Sequence, residues 1–199
     1  MTRKTNPSKS PRNIKKRVVK KTSKTVNKKG YSPLHPKKKI RANLAPATDP
    51  YISKEQLKDY TICTKCHIVY HLNRWFIDKN LYNALKNNRT IKKILCPACK
   101  KIKDNYAMGV VSIKGGFFFD HKEEILSLIK HEELRAMDTN PLERIMKKRK
   151  DKENYIITTT SEKLAQKIGR ALHRAYKGEV RYSWSDNNKF VRVFWEREK

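Results

Sequence analysis

Acidic residues are scarce in this chain of 199 residues: 19 Asp and Glu stand against 48 Lys and Arg, a formal net charge of +29. A surface made only for solubility would intersperse both signs. The natural counterpart of such a charge is a polyanion, and the charge informs about partners rather than about fold. Long apolar runs are missing too. None approaches the roughly eighteen residues of a membrane-spanning helix, and no secretory hydrophobic segment is visible. A membrane partner is therefore not expected, and the expected compartment is the cytoplasm. Also absent are a Gly-rich phosphate cradle and a nucleophile set beside a base. Asp104, His121, His131, Glu132 and Glu133 can be nominated as catalytic groups, but His131-Glu-Glu-Leu-Arg135 lacks the second histidine of a metalloprotease helix. No enzyme activity and no small-molecule substrate are expected.

Cysteine is used four times, as Cys63-Thr-Lys-Cys66 and Cys96-Pro-Ala-Cys99, with 29 residues between the pairs. Two such knuckles can bring four thiolates onto one tetrahedral ion, which points to one structural zinc per chain. An iron–sulfur cluster takes the same ligands. Two disulfides would need an oxidising compartment, and a thioredoxin-like redox pair normally uses a single CxxC. His67 and His71 flank the first knuckle, but four thiolates already close the tetrahedron, so both read as packing or surface residues. A closed site of this kind is a staple rather than a catalyst.

Residues 1–50 carry 16 Lys and Arg and one acid, Asp49, a net +15; the remainder carries +14. Six prolines fall in this segment, and apolar periodicity is almost absent. It cannot bury enough surface to offset its ordering entropy, which predicts a disordered basic arm over 1–50. Lys15, Lys16, Arg17, Lys20, Lys21, Lys37, Lys38, Lys39 and Arg41 are its candidate phosphate contacts. Residues 51–119 read as a four-cysteine zinc module, treble- or ribbon-like. It has a helical lead-in over Ser53–Tyr60, a hairpin from Ile68 to Phe76, and an inserted helix capped by Asp78 with Leu81, Tyr82 and Leu85 inward. A strand at Ile94-Leu95 follows, then a second hairpin turning at Gly115-Gly116.

Residues 120–199 read as a small α/β domain. Asp120 is the expected cap of a helix from His121 to about Met137, carrying Ile125, Leu128 and Ile129. Asn140-Pro141 opens a second helix through about Arg149, where Lys147-Lys148-Arg149-Lys150 would complement the helix dipole. The final stretch predicts β-α-β-β: a strand at Tyr155–Thr159, a helix capped by a Thr159/Glu162 box with Leu164, Ile168, Leu172 and Ala175 inward, a stop at Gly178, then a hairpin. Pairing parity in that hairpin sets Val180, Tyr182 and Trp184 with Val191, Val193 and Trp195 against the helix. The opposite face shows Arg181 and Ser183 beside Phe190, Arg192 and Phe194. This is either a stacking platform for unpaired bases or a second small core beneath the 121–137 helix.

Cys96-Pro-Ala-Cys-Lys-Lys-Ile-Lys-Asp104, Asn140-Pro-Leu-Glu-Arg-Ile145, Thr158-Thr-Thr160 with Leu164-Ala165, and Ile168-Gly169 resemble a small family of uncharacterised bacterial zinc-ribbon proteins. The resemblance spans about residues 60–197. The paired knuckles and the α/β segment after them are also similar to the nonsense-mediated-decay adaptor family, whose members accompany the large ribosomal subunit. Neither resemblance supplies a catalytic residue. Together with the charge they imply an α+β, RNA-binding zinc-ribbon accessory protein, associated with ribosomes, whose partner is RNA. The alternative is a DNA-binding or transcription-associated zinc ribbon, although no groove-reading recognition helix is evident.

Overall fold

The first strands are short because the chain must turn back at each cysteine pair. In the computed structural model, which describes residues 49–52, 57–185 and 189–199, β1 (Thr61–Cys63) delivers the first cysteine. The knuckle then returns into the hairpin β2 (Val69–His71) and β3 (Arg74–Phe76). Helix α1 (Lys79–Leu85) is capped as expected: the Asp78 carboxylate accepts from Leu81 N at 2.9 Å. Its Leu81, Tyr82 and Leu85 are half-buried rather than fully enclosed. β4 (Lys93–Ile94) runs parallel to β1 and leads into α2 (Pro97–Lys103), completing a four-stranded sheet ordered β3-β2-β1-β4. Of the expected lead-in helix, 53–56 lie outside the described residues, and Asp59–Tyr60 form a turn.

A second sheet takes the rest of the chain. β5 (Gly109–Lys114) is its central strand, not half of a hairpin within the cysteine module. The diglycine does not reverse the chain into a partner strand. Gly115, at φ 105, starts a short helix α3 (Gly116–Asp120), and a Cβ there would lie 2.0 Å from the Arg197 carbonyl oxygen. The triple phenylalanine is helical, so Phe118 enters the core and Phe117 packs against it. α4 (Lys122–Thr139) follows with His121, not Asp120, at its cap and no side-chain capping bond.

The segment after Asn140 is a strand, contrary to the helix that Asn-Pro predicts. The Asn140 side chain accepts from Leu142 N at 3.1 Å, a local turn that ends there, and the Glu133 carboxylate takes Ile145 N at 2.8 Å. From that anchor β6 (Ile145–Asp151) pairs antiparallel with β7 (Asn154–Thr159). Tertiary pairing has overridden a local helix signal, and the helix-dipole account of Lys147–Lys150 falls with it.

The terminal β-α-β-β order is present as β7, α5 (Glu162–Tyr176), β8 (Glu179–Trp184) and β9 (Val191–Glu196). The cap of α5 is Ser161, whose hydroxyl accepts from Leu164 N at 3.1 Å. Thr159 is fully buried and instead donates to Ser161 O. Leu164, Ile168 and Leu172 face inward, joined by Ala171 rather than Ala175, which is exposed. Gly169 allows close approach: a Cβ there would meet Val193 Cγ1 at 2.5 Å. The strand order is β6-β7-β5-β9-β8, with β5 and β9 parallel and the other neighbours antiparallel. Val111, Ile113, Ile157, Val193 and Trp195 form one core with Ile125 and Ile129 of α4 and the inward residues of α5. Both long helices therefore pack on one face of the five-stranded sheet. The chain is α+β with two mixed sheets, and all described residues belong to one compact unit, Ala42–Lys199. Among them, no helix is long and apolar enough to cross a membrane.

Candidate functional site

The four sulfurs meet between the ends of β1 and β4. The first knuckle closes through His67 N to Cys63 O at 3.1 Å and Cys63 N to Ile68 O at 2.9 Å, with His67 in the left-handed region at φ 65. Cys96 is itself the cap of α2, its sulfur accepting from Cys99 N at 3.4 Å, with Pro97 at the first helical position. Cys96 N donates to Cys63 Sγ at 3.3 Å, tying one knuckle to the other. All four sulfurs lie within 4.8 Å of one another, and Cys66 and Cys96 approach to 3.6 Å.

The geometry fits a metal better than disulfides. A tetrahedron with metal–sulfur bonds of about 2.3 Å has edges of about 3.8 Å. The cysteines are free, and three of the four are buried. Their protons are also in competition. Hydrogen bonds from Cys66, Cys96 and Cys99 hold the Cys63 thiol far below its ordinary value, while Cys63 and Cys66 push Cys96 and Cys99 far above theirs. A cation in the middle would let all four ionise together, so the cluster can hold a metal ion such as zinc. The histidines take no part. His67 stacks on Tyr82 at 4.6 Å, and His71 stacks on Tyr60 at 4.4 Å with its Nδ1 3.3 Å from Asp59.

The cluster is fastened to the larger sheet. Arg144 Nη1 lies 3.9 Å from Cys99 Sγ, its Nε donates to Pro141 O at 2.7 Å, and its backbone N donates to Thr160 Oγ1 at 2.8 Å. Burial works against the Arg144 charge, but the Cys66, Cys96 and Cys99 sulfurs outweigh it and raise its pKa. Two residues beyond Cys99, buried Lys101 pairs with Asp49 and donates to Thr160 O at 2.9 Å. The three segments Cys96–Asp104, Asn140–Ile145 and Thr158–Thr160 thus converge on one junction.

The second candidate site is the sheet face opposite the two long helices. The register places Lys147, Thr158, Val110, Arg192 and Ser183 in one row across all five strands. The next row is Arg149, Ile156, Ser112, Phe194 and Arg181. Phe194 is 41 % exposed, which removes the second-core reading: a Phe beneath α4 would be enclosed. Phe190, half-buried, lies just before β9, and the Arg192 guanidinium sits 4.7 Å above its ring. The hairpin pairing holds as expected, with Arg181 opposite Phe194 and Ser183 opposite Arg192, but Trp184, expected in the core against the helix, is exposed at the end of the edge strand. Arg181 is partly engaged, 3.4 Å from Glu179 and 3.8 Å from Glu196. Among the described residues, Lys147, Arg149 and Arg192 enter no ion pair.

Lys147 and Arg149 are the members that sequence reasoning missed. Their signal was visible as a basic run, but on a helix it had a sufficient structural explanation. On an edge strand that explanation is gone. A bulge between Ile145 and Lys147 adds Met146 and sets the phase, so Lys147 and Arg149 share the open face while Lys150 turns toward the Phe119 ring. A third row, Asp151, Asn154, Lys114, Glu196 and Glu179, carries three acids and bounds the cationic rows at the end of the strands away from the cysteine module. The arm residues Lys15, Lys16, Arg17, Lys20, Lys21, Lys37, Lys38, Lys39 and Arg41 lie outside the described residues, as does the tip of the last hairpin at 186–188. No protein-family model, no curated protein and no solved structure matches the chain.

Proposed function

We propose that this chain is an RNA-binding accessory protein of the zinc-ribbon type that associates with ribosomes. In this reading Cys63, Cys66, Cys96 and Cys99 hold one zinc, which fixes α2 and, through Arg144 and Lys101, its attachment to the larger sheet. The observation that carries the proposal is the exposed face of that sheet, where Lys147, Arg149 and Arg192 share two adjacent rows with Phe194 and Arg181. Cations at this spacing neutralise successive phosphates, and aromatic rings between them accept bases without demanding a sequence. The basic arm adds sequence-independent affinity through counterion release. The ribosomal part of the proposal rests on the likeness of the paired knuckles to the decay adaptors.

The test is direct. The purified full chain is titrated against labelled single-stranded RNA, and the tagged chain is followed through sedimentation of ribosomal subunits. Expected are one zinc per chain by elemental analysis, cosedimentation with a subunit, and weaker RNA binding by Arg192→Ala and Lys147→Ala proteins that melt normally. Variants that bind RNA as the parent does would remove the sheet face from the function.

A further inference from the structure

One part of the open face is concave. Asn105, Ala107, Met146, Ile156 and Thr158 line a hollow at the β6–β7 end, with Lys147 and Arg149 completing its wall. Two modules build it. Asn105 and Ala107 come from the turn between the metal-bearing helix α2 and β5, and the rest comes from the sheet. Asn105 is in the left-handed region at φ 54 and closes the turn through its N–H to Ile102 O, which brings the residue to the hollow. The lining combines an apolar floor, Ala107, Met146 and Ile156, with neutral hydrogen-bonding groups on Asn105 and Thr158. Among the described residues, no carboxylate lines it.

We propose that this hollow is the receptor for one unpaired nucleobase of a single strand, with Lys147 and Arg149 on the phosphates to either side of it. The proposal deepens the RNA-binding reading and rests on it. Three features select this occupant. A flat base buries both of its faces in an apolar slot, and Met146 beside Ile156 offers polarisable and branched surfaces for that contact. A base also carries edge donors and acceptors, which a carboxamide and a hydroxyl can meet in either sense. Finally, Lys147 and Arg149 are two residues apart on one strand, about 6.8 Å, comparable with the spacing of successive phosphates on an extended strand. Neither charge has an acid partner among the described residues, so both are available to an anion. From β6 the strand would cross toward Phe194, three strands and about 14 Å away. That distance makes the hollow a separate base position from the exposed ring.

The Met146 bulge is what brings this about. Unbroken pairing from Ile145 opposite Thr159 would put Met146, Lys148 and Lys150 on the open side and turn Lys147 and Arg149 toward the helices.

Photocrosslinking of the full, metal-loaded chain to a short single-stranded RNA of random sequence, followed by peptide mapping, tests the proposal. Base adducts are expected on Met146 or Lys147 and on the Ile156–Thr158 stretch. Ile156→Ala should weaken binding of the preferred sequence about 5- to 30-fold and flatten the preference among bases, since it removes apolar contact to the base alone. Thr158→Val, which keeps shape, should change which base is preferred while leaving thermal stability close to that of the parent. Matching single-stranded DNA that gives the same adducts also supports the receptor, and shows that it reads the base rather than the sugar. Tight RNA binding with adducts confined to Phe190 and Phe194 overturns the hollow and leaves the RNA-binding reading standing. So does a folded Ile156→Ala protein with unchanged base preference. A full chain that binds no RNA at low salt overturns both.

Discussion

Phe194 and Trp195 are neighbours in sequence on opposite faces of one strand, one 41 % exposed and the other fully buried. Their alanine variants should separate binding from folding. Phe194→Ala is expected to lose about 1–3 kcal/mol of RNA affinity, roughly 5- to 150-fold, with a nearly unchanged melting curve. Trp195→Ala should cost about 3–5 kcal/mol of folding free energy, because the void sits at the centre of the core and the Nε1 bond to Lys177 O is lost. Measuring both properties on both variants checks the assignment; early melting of Phe194→Ala would return that ring to the core. The sorting of these two residues was legible in the sequence, since period two and the hairpin fix it. Whether the outward face was covered was not legible. That depended on where α4 packs, and two helices on one side of a sheet leave no local trace in the residues of the other side.

At the scale of elements, α2 joins two functions in seven residues. It is capped by Cys96, carries Cys99 into the four-cysteine cluster and buries Lys101 against Asp49 at the junction with the sheet. Lys101→Met is expected to cost about 3–5 kcal/mol, because the Asp49 carboxylate would remain buried without its cation. Adding Asp49→Asn should recover part of that loss, as chemical denaturation of the single and double variants would show. Cys99→Ser, or chelation, should release the metal and cost α2 its fixed position, with a fall in helical circular dichroism and in zinc content together. The cysteine cluster was readable from spacing alone. The β6 strand was not: Asn-Pro at 140–141 is a sound local helix signal, and only pairing with β7 and the Glu133 bond to Ile145 N outweigh it. Position 115–116 failed for the same reason. A diglycine is compatible with a hairpin, but here β5 already has β7 and β9 as partners, so no place remains for the second strand.

For the whole molecule, the charge divides into two halves of similar size, +15 in residues 1–50 and +14 in the remainder. Counterion release then predicts a steep salt dependence in which each phosphate contact contributes a slope of about 0.7 on a single strand. Deleting residues 1–47 is expected to flatten that slope by several units and weaken binding strongly at low salt. The base preference should survive, because the proposed base contacts lie on the sheet face. Titrations of both proteins across a range of salt concentrations supply the comparison; equal slopes would mean that the arm contacts no phosphate. Denaturation of the remainder should be almost unaffected by the deletion.

The position of β9 has a consequence for how the sheet is assembled. It is the last of the described strands in the chain, yet it lies between β5 and β8, so among the described residues β8 has no other strand beside it. During synthesis β5, β6 and β7 can pair among themselves, while β8 must wait unpartnered until residues 191–196 leave the exit tunnel. A stop codon or frameshift ahead of Val191 would therefore remove far more than a terminal strand. It would strand β8, bare the inner edge of β5 and open the core around Val111 and Ile113 to aggregation.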